Sequence, residues 1–89
     1  MQTQQSGTPI NLSASGIVSK VSGTLLGIYV ASTTSGTVVV GDGATSAATA
    51  KTGTITPAVG YHAMNMYLPN GCYLTIGATI NLTAVFAAG

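Results

Sequence analysis

Gly23–Asp42, GTLLGIYVASTTSGTVVVGD, holds two runs rich in Val, Ile, Leu and Tyr on either side of the polar break TTSG. Such residues favour strands, and a glycine at the break supplies the backbone freedom a turn requires. The stretch therefore predicts two strands, GTLLGIYVAS and GTVVVGD. The first is apolar on both faces, as suits a central strand covered by the core on one side and by a partner on the other. Gly27 inside it marks a bulge or a close backbone approach.

Outward from there the same pattern continues. Gly or Pro interrupts almost every ten-residue window, which disfavours helices. Five further strands are read: SGIVSKV, AKTGTIT, YHAMNMYL, CYLTIG and TINLTAVFA. Alternation with period two sorts three of them into faces. His62, Met64, Met66 and Leu68 form a core face opposite Tyr61, Ala63, Asn65 and Tyr67. Cys72, Leu74 and Ile76 oppose Tyr73 and Thr75. Ile80, Leu82, Ala84 and Phe86 oppose Asn81, Thr83 and Val85. The expected fold is all-β, an antiparallel β-sandwich of about seven to eight short strands over residues 14–89, preceded by an extended, Gln-rich arm at 1–13.

Composition limits the chemistry. Among 89 residues the charged side chains are Lys20, Lys51 and Asp42, and His62 is the single histidine, yet 46% of residues are apolar. A chain this apolar folds, and one this poorly charged hides much of its surface by assembling. Nucleic acid is excluded as a partner, because phosphate binding needs several Lys or Arg. No run of about 20 apolar residues is present to span a membrane as a helix. The start, MQTQQSGTPI, has no basic and apolar leader pattern. The sequons at Asn11 and Asn81 therefore carry no weight.

Enzymatic constellations fail on count. A Ser-His-Asp triad has only His62 and Asp42 to draw on and no G-x-S-x-G elbow, and a single carboxylate cannot form a pair. Cys72 and His62 fall short of the four ligands of a structural zinc site, so no metal and no cofactor is expected. His62 reads as a strand residue at the core edge and Cys72 as a small buried hydrophobe. Asp42 reads as a strand-exit turn whose carboxylate bonds backbone amides two residues on, with Lys20 or Lys51 as further partners across a subunit contact. The expected site is an interface formed by Tyr29, Tyr61, Tyr67, Tyr73 and Asn65, since tyrosine suits surfaces that are apolar at one end and wet at the other. A sugar- or base-stacking platform is the other use of such a set.

The succession SGIVSKVSGTLLGIYVASTTSGTVVVGDGATSA and GTITPAVGYHAMNMYLPNGCYLTIGATINLTAVF resembles small virion structural proteins of tailed bacteriophages, including capsid decoration or cement proteins. The resemblance spans about residues 15–86. It is carried by Gly23, Leu25, Gly27, Ile28 and Val30, by Gly36, Thr37, Val40, Asp42 and Gly43, and by Asn70, Gly71, Tyr73, Thr75, Ile76 and Gly77. Gly41 departs from the pattern, which has a bulky residue before the aspartate. The resemblance implies a jelly-roll-like sandwich, no catalysis, self-association as a dimer or trimer, and a seat on the outer face of a shell of major capsid protein. A tail, head-to-tail joining or fibre component, or a virion-displayed glycan- or host-binding module, is the alternative.

Overall fold

A computed structural model describes residues 7–88, and six strands account for most of them: β1 (Thr8–Leu12), β2 (Gly16–Ser19), β3 (Gly23–Asp42), β4 (Thr49–Ala50), β5 (Gly60–Leu68) and β6 (Cys72–Ala88). All pair antiparallel in one sheet of order β1-β6-β3-β4, with β2 also on β6 and β5 also on β3. The strands are fewer and longer than expected. β3 and β6 have 20 and 17 residues and run against each other from Gly23↔Ala88 to Gly41↔Tyr73. Neither TTSG nor the residue between CYLTIG and TINLTAVFA breaks its strand.

What those short polar segments do is bend the ribbon. Ser35 and Ala78 take positive φ, 53° and 56°, and Thr34 and Ser35 both face Thr79, so two residues on β3 oppose one on β6. A bulge of that kind kinks a ladder without ending it. The freed amide of Gly36 donates to Thr33 Oγ1 at 3.0 Å. A side chain at 36 would bring its Cβ to 2.6 Å from Ile80 Cβ, so glycine is required where the strands crowd.

The bend folds β3 back on itself. Its first residue, Gly23, pairs with Leu68, and its last, Asp42, is hydrogen-bonded to Asn70. Only Pro69 separates Leu68 from Asn70, whereas 20 residues in a straight strand would span about 65 Å. The molecule measures 42 × 28 × 18 Å. Both halves of the folded ribbon supply the same core: Leu25, Ile28, Val30, Leu82, Ala84 and Phe86 from one, Val38, Val40, Cys72 and Leu74 from the other. The faces read from period two on β5 and β6 are those observed, with Leu68, Cys72, Leu74, Ile80, Leu82, Ala84 and Phe86 buried and Met64, Met66 and Ile76 packed against them.

Two segments differ from expectation in how they join the sheet. Within the stretch read as an arm, Thr8–Leu12 pairs along β6 from Phe86 to Leu82, and Ile10 and Leu12 pack on the core; residues 1–6 lie outside the described residues. AKTGTIT is not a continuous strand. After β4 it follows β3 irregularly: Lys51 donates to the Val40 carbonyl, Val40 donates to Thr52 Oγ1, and Ile55 exchanges both backbone bonds with Val38. The Thr52 hydroxyl replaces a backbone carbonyl, which satisfies the donor while interrupting the ladder.

Candidate interaction surface

Each half of the ribbon is flanked differently. Around the first part of β3 stand β5 on one side and the end of β6 with β1 on the other, and their outward residues form rows across four strands. One row runs Asn11, Thr83, Tyr29, Tyr61; another runs Ala87, Thr24, Tyr67. Tyr29, Tyr61 and Tyr67 are 54%, 52% and 62% exposed. Asn11 Nδ2 donates to Asn81 Oδ1 at 2.8 Å and to the Leu82 carbonyl, which ties the outer strand to the face and joins the two sequon asparagines to each other. No Lys, Arg, Asp or Glu stands on any of these strand segments.

The tyrosines are held by the strands beneath them. Tyr29 and Tyr61 are direct cross-strand partners, an arrangement that lets two rings contact. The Tyr61 ring lies over the Gly27 backbone; a Cβ there would run into the phenol and come to 2.5 Å from the His62 carbonyl oxygen. Glycine therefore provides the seat for the ring. The β3–β5 register slips at the same place, between Leu25 and Gly27, and Asn65 takes φ 52° opposite the slip. Asn65 is exposed at this bulge. His62 faces the other way, half-buried, with Nε2 donating to the Ala58 carbonyl at 2.7 Å.

Tyr73 stands apart from this face. It pairs with Ile17 and Gly41 on the other half of the ribbon and is half-buried there. The structure thus brings Tyr29, Tyr61, Tyr67 and Asn65 onto one surface and Tyr73 onto another. Thr83 and Asn11 belong to the first surface too. The alternation of INLTAVF placed Thr83 outward, but only the pairing register sets it beside Tyr29.

The second half ends in a polar clasp. Asp42 is 9% exposed and accepts two bonds from Asn70, from its backbone amide at 2.9 Å and its side-chain amide at 3.2 Å. Gly43 N–H donates to Gly71 at 3.3 Å beside it. The local turn expected for Asp42, with its carboxylate on amides two residues on, is replaced by this bond to a residue 28 positions away. The next residue after the turn, Cys72, is fully buried, and burial, with a smaller push from the Asp42 charge, raises its thiol from 9.0 to about 12. Such a thiol is a packing group rather than a nucleophile. Among the described residues no three His, Cys, Asp or Glu side chains gather as metal ligands would.

Comparison with protein-family models, with curated proteins and with solved structures finds no match to this chain.

Proposed function

We propose that the protein is a non-enzymatic structural protein of a virion, a capsid decoration or cement protein that binds the outer face of the major capsid protein shell and stabilises it. The observation that carries the reading is the uncharged face of β1, β6, β3 and β5, with three half-exposed tyrosines fixed on it. Tyrosines seated on a rigid sheet bury large areas with little loss of side-chain freedom, and a face without charges has no desolvation penalty for ions to overcome. Each apolar Å² covered contributes about 25 cal/mol, and the cost of association offsets much of the sum. The virion setting comes from the sequence resemblance.

The same proposal takes the architecture one step finer. The two halves of the ribbon stack as the layers of a jelly-roll-like β-sandwich. A shared core and a thinnest dimension of 18 Å support that arrangement, since stacked sheets lie about 10 Å apart.

The test is addition of the purified protein to shells of the encoding virus stripped of it. Saturable binding at a copy number comparable to that of the capsid protein is expected, with little change on raising salt, because no ion pair is available to screen. Replacing Tyr29 and Tyr67 together by Ala should weaken binding at least about tenfold while the fold survives. Absence of the protein from shells, or a stoichiometry of a dozen copies per particle, would overturn the reading.

A further inference from the structure

Of the sheet's edges, β5 is the one left without the features that keep edges from pairing. The edge strand β1 carries Pro9, which lacks an amide hydrogen; β2 has four residues and is followed by Lys20; β4 has two. Proline, lysine and shortness are the usual protections. β5 has nine residues, contains neither Lys nor Pro, and is bonded to β3 alone. No backbone bond to its outer side is found among the described residues. Gly60 takes φ 127° and the register slip opposite Leu26 falls at Met64 and Asn65; between the two positive-φ positions, Tyr61–Met64 is extended strand with an open row of backbone donors and acceptors.

We infer that this edge pairs antiparallel with β5 of a second copy of the chain, across a two-fold axis near Ala63. A two-fold contact makes every pairing twice and sets the side chains near the axis against their own counterparts, so a charge placed there repels itself. Tyr61, His62, Ala63 and Met64 bring no formal charge at pH 7, and a net charge of +1 opposes the approach of two copies only weakly. The paired strands continue the sheet from one protomer into the next. The two tyrosine faces then lie side by side as one surface, and Tyr61 of each copy comes near Asn65 of the other.

The inference stands independently of the capsid reading, because a dimer that ignores shells leaves it intact and a monomer that binds them leaves the proposed function intact. Sedimentation of the native chain should show a dimer. Ala63→Lys, an exposed position, places two like charges across the axis and should weaken dimerisation roughly tenfold or more with the melting temperature of the monomer unchanged. Ala63→Cys should form a disulfide-linked dimer on mild oxidation, Cys72 being buried, whereas Thr83→Cys on the same face should not. A native chain that stays monomeric at every accessible concentration, or a dimer that neither responds to Ala63→Lys nor cross-links through Ala63→Cys, would overturn it.

Discussion

The two halves of the β3–β6 ribbon are made from the same two strands and offer opposite things. One is flanked by β1 and β5, five and nine residues long, and presents a broad uncharged face with three tyrosines. The other is flanked by β2, β4 and a loop that pairs through Thr52 and Ile55, and it or its border holds all three formal charges. The contrast shows that what a sheet half presents to a partner is decided by its flanking strands. The central pair sets the core, and the core is common to both.

The sharpest way to break that contrast is to ask whether the halves are separable. Leu25→Ala in the tyrosine half and Val40→Ala in the clasp half each remove a fully buried side chain from one cluster, and the Leu25 change should cost about 3 kcal/mol. Denaturation followed by tyrosine fluorescence and by far-ultraviolet dichroism should give coincident transitions for both variants. Two separated transitions in either would show that the halves are independent units.

A smaller effect is expected at the clasp. Asp42→Ala leaves the Asn70 amide without its acceptor and should cost about 1–2 kcal/mol, whereas Asp42→Asn keeps a carbonyl there and should lose less than half as much. Both variants should bind shells like the native chain, since the clasp lies off the tyrosine face. Urea titration and the shell assay on the same samples would check this, and a loss of binding without a loss of stability would erase the division between the halves.

The smallest effect concerns Cys72. Its thiol is held protonated up to about 12 in the folded chain and ionises near 9.0 once exposed, so the unfolded state sheds a proton first as pH rises. Its contribution is therefore complete below pH 9 and is lost between there and about 12. The folded protein should resist alkylation at pH 8, and the alkaline decline in stability should be shallower in Cys72→Ala than in the native chain. Rapid alkylation without denaturant would show that the clasp opens.

Alternation made much of this legible in the sequence. The inward sets of β5 and β6 follow directly from period two, and so does the outward placement of Tyr61 and Tyr67. The bends were hidden because Ser35 and Ala78 are not residues that announce a positive φ, and because polar Thr and Ser serve a kinked strand as well as a turn. AKTGTIT misled by its β-branched content: β propensity describes side chains, while the ladder was lost to a hydroxyl bonding in place of the backbone. The Asp42–Asn70 bond had a faint signal in the matching dipeptides Asp-Gly and Asn-Gly, but nothing local joins positions 28 apart. Tyr29 beside Tyr61 likewise depends on register, which alternation cannot give.

Pairing Gly23 with Ala88 also has a consequence for how the chain is made. β6 supplies Cys72, Leu74, Ile80, Leu82, Ala84 and Phe86 to the core and bonds to β1, β2 and β3, so no smaller sub-assembly buries the ribbon's inner face. During synthesis β3 can pair with β4 and β5 before β6 emerges, but its other edge and the core side chains that pack against Cys72–Ala88 stay open until that strand is made. Contacts of such long sequence separation fold slowly. The interval before closure is when the apolar runs of Gly23–Asp42 are open to wrong partners, and it is the stage at which production of the protein should be most sensitive to temperature and to chaperones.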